Sequence, residues 1–230
     1  MLVKSPIQHQ RRLADLHKRL IDPQDAYERC RIYPCTHRTT ADRGEGLNRL
    51  YCRRHIEFYR RHGSYTKRSY GAGDLRPHRM RAMAWLQAQR DAPEVRSAIE
   101  GVRRLYRAAR APIEAFRLAG MSPAGRAKVI WAQLRQREVD PLQVLAAWLA
   151  VDTHLRDDPQ PDRHEEYRHV QVAKLVHRMA GGTHKRWERE RADGRVEVTQ
   201  LHKHPISRGQ VLRVLGREIE KACSGLAAEC

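Results

Sequence analysis

Apolar positions along the chain are sparse at first and then settle into a helical rhythm. Leu13, Leu16 and Leu20 recur at helical spacing after Pro6, which predicts a short helix over residues 6–20. Asp22-Pro23 ends it. Residues 26–65 carry too few apolar positions for a core of their own, and 66–77, TKRSYGAGDLRP, read as a basic linker rich in turn residues.

From His78 the 3–4 spacing takes over. Met80, Met83, Ala84 and Leu86 predict one helix. Ala92-Pro93 starts another, carried by Val95, Ile99, Val102, Leu105 and Tyr106 to about residue 110, with Pro112 expected to kink it or open a new one. Ser122-Pro123 and Asp140-Pro141 each place a capping side chain before a first-turn proline. The helix after Asp140, with Leu142, Val144, Leu145, Trp148, Leu149 and Val151, is the most apolar of the chain. A polar loop over 156–163 leads to a helix over 162–180, ended by Gly181-Gly182. Residues 185–190 and 195–201, with β-prone Trp187, Val196 and Val198, flank a four-residue turn and predict a β-hairpin. A last helix is expected over 207–223.

The expected fold is therefore mainly α: a small N-terminal metal module, a multi-helix domain and one late β-hairpin. The boundaries expected are an N-terminal helix in 1–25, the module in 26–70, a helical region in 71–156, and a helix, hairpin and final helix in 157–230.

Charge changes the picture. The 230 residues hold 45 Lys+Arg against 27 Asp+Glu, a net of +18. Residues 29–81 alone hold 14 basic and 4 acidic residues, more than half of the excess. Such a surplus attracts polyanions. Arginine outnumbers lysine 37 to 8, a ratio that a GC-rich genome accounts for; the net charge is not explained that way. No stretch nears the roughly 18 apolar residues that span a bilayer. The N-terminus lacks the continuous apolar run of a secretory signal. Five cysteines are an odd number, so a disulfide framework is not expected, and a reducing cytoplasm, with nucleoid association possible for so basic a chain, is the expected location.

Three of those cysteines supply the chemistry. Cys30, Cys35, Cys52 and His55 read C-x4-C-x16-C-x2-H. Three thiolates and one imidazole complete a tetrahedral zinc shell, and four protein ligands leave no open position, so the ion is structural. His37 and His62 are the alternatives to His55, which is preferred because C-x2-H sets both ligands on one tight turn. Nearby Arg29, Arg31, Arg53 and Arg54 favour thiolate charge.

This segment resembles a small zinc-binding module found in phage and mobile-element proteins, often beside HNH-type homing endonuclease domains. The resemblance rests on Cys30, Cys35, Leu50-Tyr51-Cys52-Arg53-Arg54-His55, Tyr59-Arg60-Arg61 and His62-Gly63-Ser64, about 40 residues. Asn48-Arg49 stand where that pattern has a glycine. What it implies is DNA contact by a helix carrying Arg53, Arg54, Arg60 and Arg61, with Lys67 and Arg68 as further nucleic-acid contacts, and a mobile-element context.

The nuclease companion is missing from the sequence. An HNH site needs a histidine base, an asparagine and a metal-binding histidine on a ββα element. Asn48, the only asparagine, lies in the cysteine segment, and His202 and His204 lack the rest of the constellation. There is no phosphate-binding glycine loop and no nucleophile elbow. His164-Glu165-Glu166 opens a helix, where acids favour the dipole; Asp157, Asp158 and Asp162 read as a solvated loop. A second arrangement sets the 162–180 helix in the major groove through Arg163, Arg168 and either Lys174 or Arg178, with Lys185, Arg186, Arg189 and Arg191 on a wing.

The expectation is a nucleic-acid-binding protein, on duplex DNA before RNA, holding structural zinc and not an enzyme. The alternatives are a divergent metal-dependent nuclease and an RNA-binding subunit.

Overall fold

The structure is a computed structural model. It describes residues 10, 13–14, 17, 28–114, 117–158, 164–181, 183–191, 195–203 and 209–226, with backbone alone at 164, 183–185 and 201–203. The helix expected over 6–20 falls mostly outside these residues. The chain divides into two compact units, Met1–Lys67 and Arg68–Cys230. Among the described residues there are seven helices and one two-stranded antiparallel sheet. No helix among them is long and apolar enough to cross a membrane.

The first unit contains α1, Arg53–His62. The second contains α2 (Ala72–Ala88), α3 (Pro93–Ala108), α4 (Pro123–Gln136), α5 (Pro141–Asp157), α6 (His164–Ala180), the hairpin β1 (Thr183–Glu190) and β2 (Val196–Lys203), and α7 (Gln210–Cys223). The predicted capping signals act as expected. Ser122 Oγ accepts from Gly125 N at 3.1 Å, and Asp140 Oδ1 accepts from Leu142 N at 2.9 Å.

The second half of the basic linker expected over 66–77 is helix instead, from Ala72 onward. Asp74 accepts from the Gly71 backbone N–H at 2.8 Å and closes the first turn of α2. Leu75 is buried one position later, and Pro77 is accommodated inside the helix. Turn-forming residues are thus helix-starting residues once a cap and a buried leucine are supplied. α3 ends at Ala108, so Pro112 does not kink it; Arg135 holds the chain there. Its guanidinium donates to the carbonyls of Tyr106, Ala109 and Arg110 at 2.9, 2.9 and 3.0 Å, satisfying the C-terminal end of α3.

α5 is the centre of the second unit. Ten of its residues are buried, including Leu145, Leu149 and Leu155, so its apolar run has no solvent face. α2, α3, α6 and α7 pack on it, and α7 also packs on α3, α4 and α6. α7 approaches so closely that a glycine is needed at its contact with α6. A Cβ on Gly216 would lie 2.5 Å from the His169 carbonyl oxygen.

Charged side chains bridge α5, α6 and α7. Arg168 pairs with Asp152 at 3.2 Å and with Glu220, and lies 4.9 Å over the Trp148 ring. His169 shares Glu220, and the buried Arg213 pairs with Glu166. The hairpin has Trp187 opposite Thr199 and Glu188 opposite Val198; Trp187, Val196 and Val198 are all well exposed.

α2 and α5 also meet through two imidazoles. His154 Nδ1 lies 3.2 Å from His78 Nε2, and Arg81 reaches His78 Nδ1 at 3.1 Å. A guanidinium only donates, so His78 Nδ1 accepts and its Nε2–H donates to His154. Burial first, then His154 and Arg81, push the His78 pKa below the usual imidazole value; Asp157 opposes them. A lowered folded pKa means the contribution to stability is present above about pH 6.5 and lost as pH falls through the folded value. We expect the melting temperature of the second unit to fall on acidification below that point. In His78→Gln, which keeps a donor and an acceptor, the fall is shallower; parallel curves for the two proteins would refute the assignment.

Candidate metal centre

The first unit is built around two short turns. Cys30 N donates to His37 O at 2.9 Å, Cys35 N to Ile32 O at 2.7 Å, and Arg29 bridges Arg38, so Cys30 and Cys35 face one another across a tight reversal. The Tyr33–Pro34 peptide within it is cis. Sixteen residues separate Cys35 from Cys52, the first of the second pair. Thr40 Oγ1 accepts from Asn48 N and donates to Asn48 O, both at 3.2 Å. Asn48 Oδ1 accepts from Leu50 N and Tyr51 N at 2.9 Å. The asparagine that replaces a glycine in the resembled pattern therefore holds this turn with its side chain.

Cys52 is the N-cap residue of α1 and His55 lies in the first turn. The helix is pinned at its other end as well. Gly63 closes it in the left-handed region at φ 80°, and Tyr65 stacks between Tyr51 and Tyr59, with ring centroids 3.9 and 4.4 Å away.

These turns bring four donors together. Cys30 Sγ and Cys52 Sγ each lie 3.3 Å from His55 Nδ1, and Cys35 Sγ lies 3.9 Å from Cys52 Sγ. All four donor atoms fall within 4.8 Å of one another, and the group can hold a metal ion. Of the alternatives for the fourth position, His62 instead packs its ring on Phe58, and His37 is not one of the four clustered donors.

The electrostatics fit a cation. Burial, opposed by backbone hydrogen bonds and reinforced by Cys52 and Cys35, pushes the Cys30 thiol up to about 12. Burial raises Cys35 too, and burial with Arg54 lowers His55 below the usual imidazole value. Clustered thiolates repel one another, whereas a divalent ion at their centre compensates their charge; the low His55 value leaves its imidazole neutral, as ligation requires.

Around this group, Arg53, Arg54, Arg60 and Arg61 are exposed on α1, which has no buried residue. Arg53 pairs with Glu57 at 3.4 Å, while Arg54 and Arg61 have no ion-pair partner among the described residues. Lys67 is half-buried at the end of the first unit; Arg68 opens the second, its carbonyl accepting from Tyr167 Oη at 2.7 Å.

Other candidate sites fare differently. Glu165, His169 and Glu220 also cluster, but Glu220 is already shared by Arg168 and His169. Glu165 and Glu166 occupy the first turn of α6, as helix-start acids do. The groove-reading arrangement for α6 loses two of its contacts: Arg168 is committed to Asp152 and Glu220, and Lys174 donates to Ser69 at 2.6 Å. Arg163, Asp162, His204 and the side chain of His202 lie outside the described residues. The Arg135 cap and the Arg213 pair are structural arginines that composition counts only as positive charge.

Comparison with protein-family models, with curated proteins and with solved structures finds no match to this chain.

Proposed function

We propose that residues 28–67 form a structural zinc module that binds duplex DNA, of the kind the sequence resembles in phage and mobile-element proteins. The observation that carries this reading is the joining of a closed donor set to an arginine-bearing helix. Cys52 and His55 sit at the start of α1, so the ion that holds them also sets the direction of the helix.

Zinc is favoured by the donors and their spacing. Bonds of about 2.3 Å to sulfur and about 2.0 Å to nitrogen, at tetrahedral angles, separate two thiolates by about 3.8 Å and a thiolate from an imidazole nitrogen by about 3.5 Å. The distances of 3.9 and 3.3 Å lie close to these. Three soft sulfurs exclude magnesium and calcium, which take oxygen ligands. With four protein ligands the ion orders the chain and takes no part in chemistry.

α1 presents Arg53 with Arg60, and Arg54 with Arg61, each pair seven residues or about 10 Å apart along the axis. A helix of this size enters the major groove, and guanidinium forks suit phosphate and guanine edges. Duplex DNA is favoured over single-stranded RNA because Tyr65 is buried between two other tyrosines, which removes it as a base-stacking platform.

Salt titration tests the reading. Binding to a labelled duplex should weaken steeply with salt, and Arg54→Ala with Arg61→Ala should reduce the log–log slope by about 2, at about 0.9 per lost phosphate contact. Arg53→Ala, which removes a residue already paired with Glu57, should change it less. A slope near zero in the wild type, or one unchanged in the double variant, would refute contact through this helix.

A further inference from the structure

The second unit carries an apolar groove whose lining residues are not those of the metal centre. A groove of about 640 Å³ lies between α2 and α6, both of which pack on α5. Its apolar lining includes Met80, Met83 and Met179; Met80 is 64% exposed and the other two are half-buried. Arg76 and Arg79 from α2 and Arg178 from α6 stand along it. None of these three guanidiniums has a hydrogen-bond or ion-pair partner among the described residues. Elsewhere in the unit Arg107, Arg135, Arg156, Arg168 and Arg213 are all engaged.

We propose that this groove docks an acidic amphipathic helix of a partner protein. Charge complementarity selects the sign: arginines from both walls meet carboxylates flanking an apolar stripe. Shape and softness select the helix. Between Ala72 and Met83 the α2 wall runs about 16 Å, three turns at 1.5 Å per residue, which matches anchors at i, i+4 and i+7. Thioether side chains adapt to the anchors that arrive, as in other helix-accepting grooves. A nucleic acid would satisfy the arginines but leave the methionines in water. A second copy of this chain, at net +18, brings its own surplus of the same charge.

The test uses the full chain and a fluorescein-labelled helical peptide of about 16 residues, the length that spans the wall with a turn to spare. The peptide has leucines at i, i+3, i+4 and i+7 and glutamates at the flanking positions. Its controls are a scrambled isomer of equal charge and a lysine-for-glutamate version. Fluorescence anisotropy should give at least tenfold tighter binding for the acidic amphipathic peptide than for either control. Met80→Asp, and Arg76→Glu combined with Arg178→Glu, should each weaken it at least tenfold. All three residues are exposed, so circular dichroism of the variants should match the wild type. Equal binding of the scrambled isomer would reduce the effect to non-specific attraction and overturn the proposal. So would unchanged affinity in the groove variants. Loss on Met80→Asp of binding to phosphatidylglycerol vesicles or duplex DNA, with no peptide binding, would reassign the groove to a lipid surface or nucleic acid.

Discussion

Cys52→Ser will release the metal and unfold residues 28–67 while the helical unit keeps its structure. The reason is the near absence of any other core. Among the described residues of the first unit the buried hydrophobic side chains are Cys30, Cys52 and Tyr65, and two of these are donors. Structural zinc in small modules supplies apparent binding energies of about 10–16 kcal/mol, far more than one buried tyrosine contributes. Cys52 stands at the N-cap position of α1 without a side-chain capping bond, so what the substitution removes is the metal ligand that fixes the start of the helix. Elemental analysis should find about one zinc per chain in the wild type and none in the variant. Trypsin should then cut at Arg53, Arg54, Arg60 and Arg61 while the buried helices α4 and α5 stay protected, and chelation of the wild type should reproduce the pattern. Cys223, buried in the helical core, is the control: Cys223→Ala should retain the full metal content. A metal-free protein with equal protection at α1 would end the zinc reading. Loss of DNA binding in Cys52→Ser, with the helical unit intact, would link that scaffold to its proposed partner.

Gly216→Ala should be the most damaging small substitution in the helical unit. The added Cβ would lie 2.5, 2.6 and 2.7 Å from the carbonyl oxygen, Cβ and carbonyl carbon of His169. Two of these atoms are backbone, so no rotamer change relieves the contact and α6 and α7 must separate. Overpacking of this kind costs about 1–3 kcal/mol, and separation also loosens the pairs of Arg168 and His169 with Glu220. In a unit of this size that is a fall of roughly 2–12 °C in melting temperature, read by circular dichroism. Gly73→Ala near the start of α2, where nothing lies within 4 Å of the new Cβ, should be neutral or slightly stabilising. Equal melting temperatures for Gly216→Ala and wild type would show that the helices do not meet there.

Most elements were legible because their signals are local. Ser122-Pro123 and Asp140-Pro141 encode helix starts within four residues, and α5 declares its burial through an unbroken apolar run. The hairpin showed itself through β-prone Trp187, Val196 and Val198 in two short runs that pair as antiparallel strands. The start of α2 was misread because Gly71, Gly73 and Pro77 are turn residues in most contexts; here the Asp74 cap and the burial of Leu75 decide between linker and helix. The fate of the stretch after α3 depends on Arg135, some twenty-five residues further on, which no local window contains.

For the donor group, residue type and spacing were enough. Cysteine and histidine in C-x4-C-x16-C-x2-H carry their own chemistry, and only the choice among His37, His55 and His62 needed coordinates. The arginines are the opposite case. The sequence determines their number, and hence the charge of +18, because charge is a sum over residues. Which of them close a helix end, which pair with carboxylates and which stand unpaired beside methionines is a matter of distance between elements far apart in the chain. Tertiary structure alone decided that Arg135 and Arg213 hold the fold together while Arg76, Arg79 and Arg178 remain available along a groove.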